Sequence, residues 1–358
     1  MRAAVLREFK APLDVVGHLE TVPVGPGQVK VRIRATGLCH SDLTAMSGNL
    51  GVRLPAIPGH EGAGEIAEVG EGVTAVAPGD RVIINFMPPC GVCVDCVNGE
   101  GNLCMRLALS AARTPNFREH GKPVAGVLGC GTFAEEVVLP YQSVVKITDD
   151  VPFDVAALIG CGVTTGIGAA LNTAQVKKGS TVAVVGCGGV GIAAVMGAKL
   201  AGAEQIVAID PSAAKRELVG RYGATAAVSP EEARDKAAEL TGGRGFDYTF
   251  EVVGRSVTAH TAFDLVRRGG TMTVVGIGGP DDALTLPMGG LASSGKRVLA
   301  SVYGGTDVPR FMDQLVQLWR SGALDLASLI THRVGLEDIN EGFELMRTGD
   351  AVRTVVEL

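Results

Sequence analysis

Aromatic side chains are scarce in this chain: Phe, Trp and Tyr make up 4% of 358 residues, with a single tryptophan. So few rings leave no material for a platform on which nucleic-acid bases stack. Positive charge is not in surplus either. Lys and Arg number 32 against 38 Asp and Glu, a formal net charge of −6, and no basic run overrides that balance. Neither nucleic acid nor an anionic membrane is expected as a partner. The opening residues, MRAAVLREFK, place charges where a secretory signal has its apolar stretch. The expectation is therefore a cytoplasmic protein whose eight cysteines are reduced thiols rather than disulfides. Internal repeats and low-complexity linkers are also missing. With 46% hydrophobic and only 20% charged residues, disorder is excluded and well-formed cores are expected.

A chain of this length exceeds what one core usually supports, so two domains are expected. Two uncharged runs, 155–176 and 179–198, are long enough to span a bilayer. Both are broken by glycines and carry polar groups, and the second reads as strand, glycine turn, helix, so neither is taken as a membrane span. Up to about residue 160 the pattern is one of short strands and loops: VKVRIRAT (29–36) alternates apolar and charged, and GAGEIAEVG and DRVIIN read likewise. Beyond it, apolar strands (TVAVVG, QIVAID, FDYTFEVVG, TMTVVGIG) alternate with helical stretches. That alternation predicts a doubly wound parallel sheet covered on both faces. The tail is expected to run helix, loop, helix, strand.

Gly186, Gly188 and Gly191 spell G-x-G-x-x-G in GCGGVG. The motif alone is weak in a chain with 50 glycines. Its setting sharpens it, because it closes a strand and opens a helix whose N-terminal N–H groups suit a pyrophosphate. Asp210 ends the next strand, where a carboxylate accepts the ribose hydroxyls of NAD and repels the 2′-phosphate of NADP. The competing reading is a doubly wound domain with no cofactor and an aspartate that only caps a helix.

Four of the eight cysteines crowd into residues 90–104: Cys90, Cys93, Cys96 and Cys104, spaced C-x2-C-x2-C-x7-C. Disulfides do not suit a cytosolic chain. An iron–sulfur cluster of the bacterial ferredoxin type wants a shorter last gap and a following proline, where Met105 stands. Four thiolates around a tetrahedral zinc fit best, and such a closed site is structural. Of the rest, Cys130 and Cys187 read as small buried residues. Cys39, in GLCHSDL, and His60, in PGHEGAGE, read on spacing alone more readily as core positions than as a site.

The stretches GLCHSDL, PGHEGAGEIAEVG, the four-cysteine loop, GCGVTTGIGAALNTAQVKKGSTVAVVGCGGVG and LITHRVGLEDINEGFELMRTGDAVRTVVEL resemble the zinc-dependent medium-chain alcohol dehydrogenases, end to end. The resemblance implies an α/β fold with a GroES-like, mostly-β catalytic domain (1–162 and 303–358) and a Rossmann NAD-binding domain (163–302). It implies two zincs per chain. Cys39, His60 and Cys161 would hold the catalytic one, and Cys90, Cys93, Cys96 and Cys104 the structural one. Glu61 would be the carboxylate able to approach the metal, and Asp42 the acid that orients His60. Ser41 would bond the substrate oxygen. Where many members end the proton relay in a histidine, this chain has Thr44, which cannot act as a base near neutral pH. His40 and Arg353 would contact the pyrophosphate, Lys215 the adenosine ribose, and Thr165 and Val190 the nicotinamide. Phe86 would line the substrate channel.

The reaction so implied is hydride transfer between an alcohol, or an aldehyde in reverse, and NAD. The long segment 105–140 resembles the dimeric class III, glutathione-dependent formaldehyde dehydrogenase-like branch, which implies a homodimer. It also permits the alternative of a formaldehyde dehydrogenase acting on an S-hydroxymethyl thiol adduct. A different class, a zinc-stapled protein that kept the fold and lost catalysis, predicts one zinc per chain rather than two.

Overall fold

A computed structural model of the chain describes residues Met1–Leu358. The chain forms two compact units, one of Met1–Cys161 with Asp307–Leu358 and one of Gly162–Thr306.

The first unit is built on a mainly antiparallel sheet. Its strands run Val144–Ile147, Arg81–Ile84, Glu61–Val69, Gln28–Gly37, Arg353–Glu357 and Ile330–Gly335 in spatial order, and Glu136–Pro140 also pairs with Gln28–Gly37. The alternation in QVKVRIRATG turns Val29, Val31 and Ile33 inward, where they join Leu6, Ile66, Phe117, Phe133, Leu139 and Phe343 in one core. A smaller sheet joins Glu20–Thr21, the hairpin Phe117–Glu119 with Lys122–Gly126, and Ala56–Ile57. ITHRVG lies where the tail is expected to loop between its two helices. It forms the strand Ile330–Gly335, parallel to Arg353–Glu357 at the sheet edge. Only one of its faces is covered, so its apolar signal is weak.

The second unit is a six-stranded, all-parallel sheet in the order Ala226–Val228, Gln205–Ile209, Thr181–Val185, Phe246–Glu251, Val266–Val274, Arg297–Ala300. Numbered within the unit this is 3-2-1-4-5-6, the order of dinucleotide-binding sheets, and it reverses direction beside Thr181–Val185. The central strands are apolar on both faces, as covered parallel strands must be.

One helix, Phe153–Thr173, is long and apolar enough to cross a membrane, but 83% of its most apolar window is buried within the protein. The second uncharged run divides into the strand Thr181–Val185 and the helix Gly189–Leu200.

Candidate active site and metal centres

Cys39, His60, Glu61 and Cys161 come together in the first unit, each offering a ligand atom within 4.8 Å of the others, and all four are buried. Local rules place each one. Cys39 is the N-cap of the helix His40–Met46, and Asp42, at the third helical position, accepts the Cys39 N–H at 3.1 Å. The other Asp42 oxygen accepts the Gly59 N–H at 3.0 Å and lies 3.3 Å from His60 Nδ1. One buried carboxylate thus ties the helix start to the PGH turn. Gly59 has φ +93°, and a Cβ there would sit 2.6 Å from Phe133 and Thr132 side-chain atoms, so the turn requires glycine. Cys161 sits where the helix from Phe153 widens into a π turn over Ile159–Val163, a feature common at functional sites.

With Nδ1 on Asp42, His60 Nε2 is left buried with no hydrogen-bond partner, and so is Glu61 Oε1. Buried polar atoms rarely stay unpaired. Cys161, and the His60 ring close by, hold the Cys39 thiol well below its usual range against the opposing effect of burial. Burial pulls His60 down, but Asp42 and Cys39 together outweigh it and raise it to about 10. The pocket is thus built to hold a positive charge between two sulfurs, an imidazole and a carboxylate.

The remaining expected residues of this unit are placed as follows. Ser41 Oγ lies 3.7 Å from Cys39 Sγ. Thr44 donates to the His40 carbonyl at 3.1 Å, one helical turn back. His40 is exposed at the helix start. Phe86 packs edge-on against His60, ring centres 5.2 Å apart. Arg353 is not a solvated charge: it is 7% exposed and its guanidinium pairs with Glu61 Oε2. Reading the sequence did not find this pair, because its members are 292 positions apart.

Cys90, Cys93, Cys96 and Cys104 form a second group, also within 4.8 Å. Backbone N–H groups point at its sulfurs: Cys90 N donates to Cys104 Sγ at 3.3 Å and Cys93 N to Cys90 Sγ at 3.4 Å. Backbone N–H groups of Val92 and Cys93 favour the thiolate and bring Cys90 to about 6. Burial, with Cys93 and Cys104 close by, pushes Cys96 up to about 12. Four sulfurs so close cannot all be thiolates unless a cation joins them. Cys130 and Cys187 stand apart, each buried and pushed up to about 12, chiefly by burial.

In the second unit Gly186–Gly188 links the strand Thr181–Val185 to the helix Gly189–Leu200. A Cβ at Gly191 would sit 1.8 Å from the Gly186 carbonyl oxygen, whereas one at Gly188 would meet nothing within 4 Å. The first glycine closes the turn on the helix, and the second leaves a cradle open. Asp210 follows Gln205–Ile209 and accepts the Cys187 N–H at 2.8 Å and the Ser212 N–H at 2.9 Å. Lys215 is half-buried on the helix Ala213–Val219. Arg216, which the sequence reading passed over, donates to the carbonyls of Asp210 and Pro211, each at 2.7 Å. Thr165 and Val190 lie on helices that touch, since a Cβ on Gly166 would be 2.3 Å from the Val190 carbonyl oxygen.

A sheet that reverses at a glycine turn, on a chain that also gathers two groups of metal-ligand side chains, defines a class of metal- and nucleotide-dependent dehydrogenases. Residues 25–149 match the alcohol dehydrogenase GroES-like domain and residues 189–317 the zinc-binding dehydrogenase family. The chain belongs to the zinc-dependent medium-chain alcohol dehydrogenases and is an oxidoreductase of that family. It is 38% identical over 364 residues to an NDMA-dependent alcohol dehydrogenase of Amycolatopsis methanolica, across 99% of this chain and 98% of that protein. It is 37% identical over 367 residues to an S-(hydroxymethyl)glutathione dehydrogenase of Synechocystis, across 99% of each. Among solved structures, an alcohol dehydrogenase zinc-binding domain protein from Burkholderia ambifaria superposes with a TM-score of 0.94 at 32% identity, covering 100% of this chain and 98% of that one.

Both groups the family implies fit the residues present. The Cys39–His60–Cys161 set, with its unpaired imidazole nitrogen, has the donors of a zinc site that keeps an open position, and the four-cysteine set those of a closed one. The open cradle at Gly188 fits a nucleotide pyrophosphate.

Proposed function

We propose that the protein oxidises an alcohol, or reduces an aldehyde, with NAD as hydride partner and two zincs per chain. Cys39, His60 and Cys161 would hold the catalytic zinc, and Cys90, Cys93, Cys96 and Cys104 the structural one. The observation that carries this reading is the unpaired His60 Nε2, buried among two thiols and a carboxylate. Zinc at such a site makes a hydroxyl far more acidic, as it lowers the pKa of water from ~15.7 to about 7, while the nicotinamide takes the hydride.

The chain's own residues supply the rest. Asp42 fixes the His60 ring and its tautomer through Nδ1. Ser41, beside Cys39, would accept a hydrogen bond from the substrate hydroxyl and relay the proton, taking it on Oγ as its own hydroxyl proton passes on. Thr44 is no base near neutral pH, so the proton goes on to water or to another group. Glu61 is held between the thiol site and Arg353, which neutralises it while it waits. Phe86 fixes the His60 ring from the side and bounds the substrate space. Within the second unit Gly186, Gly188 and Gly191 would cradle the pyrophosphate, a group the family resemblance also assigns to His40 and Arg353. Asp210 and Lys215 would hold the adenosine ribose, and Thr165 and Val190 the nicotinamide.

A second reading, oxidation of formaldehyde as its thiol adduct, is favoured by the full-length similarity to the Synechocystis protein. The test is NADH formation by purified protein on a panel of aliphatic and aromatic alcohols, and on formaldehyde with and without a low-molecular-weight thiol. Turnover of plain alcohols supports the first reading. Turnover only of formaldehyde with thiol replaces it by the second. The similarity to the NDMA-dependent protein adds one control, an added electron acceptor in place of free NAD, to detect nucleotide that never leaves the protein.

The protein is further proposed to be a cytoplasmic homodimer. All eight cysteines are unbridged, as in a reducing compartment. The strand Arg297–Ala300 is a sheet edge carrying exposed Val298, with Ile277 and Met288 exposed in the same unit. Such an edge invites pairing with a second copy. Light scattering at micromolar concentration should give a dimer, and Val298→Lys should shift it toward monomer; a wild-type monomer would refute the proposal.

A further inference from the structure

Outside both cysteine groups, His18, Glu119 and His120 each bring one ligand atom within 4.8 Å of the others. The fold assembles them from two segments. His18 lies between the strands Asp14–Val16 and Glu20–Thr21. Glu119 ends the strand Phe117–Glu119 and pairs with Lys122, so His120 and Gly121 form a two-residue hairpin turn. Both turn residues have positive φ, 49° and 78°, as primed hairpin turns require. Histidine is one of the few side chains that tolerates this conformation. The turn sets the His120 ring against His18, with centres 4.7 Å apart and planes 19° from parallel. His18 Nε2 lies 3.0 Å from Glu119 Oε1.

The carboxylate is fixed from its other side. Arg7 forks it, Nη1 to Oε2 at 3.0 Å and Nη2 to Oε1 at 2.7 Å, while Arg7 Nε holds Asp14 at 2.6 Å. Each carboxylate oxygen has two lone pairs, so the fork leaves acceptor capacity on Oε1. One guanidinium against two carboxylates leaves the cluster one negative charge when both imidazoles are neutral.

We propose that His18, Glu119 and His120 form a third metal site, for a borderline divalent cation such as Zn2+. Two imidazoles and a carboxylate suit such an ion, and the exposed position leaves its remaining coordination to water. On binding, His18 Nε2 exchanges its contact with Glu119 for the metal. The bond would clasp residue 18 to the hairpin, beside the two-residue strand Glu20–Thr21, whose only ladder is to Phe117–Glu119. The effect is therefore on stability rather than turnover. The Arg7 cation on the same carboxylate makes this site weaker than either cysteine site.

The test uses tag-free holoenzyme dialysed to remove loosely held metal, then titrated with Zn2+ by equilibrium dialysis with metal analysis. The expected result is one further zinc per chain, accompanied by a rise in Tm. His120→Asn keeps a residue that accepts positive φ and deletes a ligand; His18→Gln deletes the other. Each deletes a ligand outright and should weaken the added zinc by more than the roughly 10–100-fold lost with a ligand's hydrogen-bond partner and abolish the rise in Tm, with unchanged NADH formation in the absence of added zinc. No added zinc up to about 1 mM, the weakest binding worth the name at about −4 kcal/mol, would overturn the proposal. So would an added zinc bound equally by wild type and both variants.

Discussion

Replacing Asp42 by asparagine separates positioning from packing at the proposed catalytic site. Asp42 is fully buried and accepts three hydrogen bonds, from Cys39 N, Gly59 N and His60 Nδ1. Alanine would strand all three donors. At ~1–3 kcal/mol for each unsatisfied buried group, that is on the order of 3–9 kcal/mol, against a whole-protein stability of roughly 5–15 kcal/mol. Loss of fold would then mask everything else. Asparagine keeps one oxygen. Turned toward Gly59 and His60, it leaves only the Cys39 N–H facing an amide NH2, a cost of ~1–3 kcal/mol. It also removes the charge behind His60. Removing such a partner typically costs about 10–100-fold in metal affinity or activity. The assay is zinc content after dialysis against graded chelator, with Tm and kcat measured on the same samples. Asp42→Asn should lose close to one zinc per chain at a chelator level that spares wild type, lose activity in proportion, and keep the four-cysteine zinc. If it lost Tm alone, with full activity and both metals, Asp42 would be a packing residue and the orientation argument would be wrong.

Other perturbations test the remaining parts. Cys161→Ser should abolish turnover while the fold and the four-cysteine zinc persist, whereas Cys104→Ser should lower Tm first, because metal binding at a closed site contributes to folding; activity lost in Cys104→Ser without a change in Tm or assembly would contradict that division. Asp210→Asn keeps an acceptor for only one of the Cys187 and Ser212 N–H groups, which bond different Asp210 oxygens, and removes the charge proposed to face the ribose. Because like charges brought together cost several kcal/mol, the NADP-to-NAD ratio of kcat/KM should rise at least about tenfold, and an unchanged ratio would remove Asp210 from the nucleotide site. Gly59→Ala combines a φ of +93° with contacts at 2.6–2.7 Å to Thr132 and Phe133. It should cost more than ~1 kcal/mol in stability and activity along with it through His60; a fully active, equally stable variant would show that the turn can relax.

How much was legible in the sequence depended on the range of the interaction. The parallel sheet was visible because its strands are buried on both faces and so are apolar throughout. The four-cysteine group was visible because its ligands lie within one loop. Cys39, His60 and Cys161 were different. Local pattern gave no reason to join positions so far apart, and only resemblance to a family did so before the structure brought them within 4.8 Å. The strand Ile330–Gly335 was hidden because an edge strand needs only half the apolar residues of a buried one.

Arg353 and Glu61 show the same limit as a matter of charge. Each opens a strand whose first four residues are all buried, so each carries a charge into the interior. Taken singly, either is a costly burial; burial alone pushes the Arg353 guanidinium down. As a pair they neutralise one another. Glu61 still keeps one oxygen unpaired beside the thiols. A carboxylate balanced between a fixed cation and a metal-ligand cluster can lean to either without crossing open water. That is the property required of a group that must approach the metal and then withdraw. The same pairing explains how an arginine can be buried inside the sheet of this unit: of the five N–H donors of its guanidinium, Glu61 engages one.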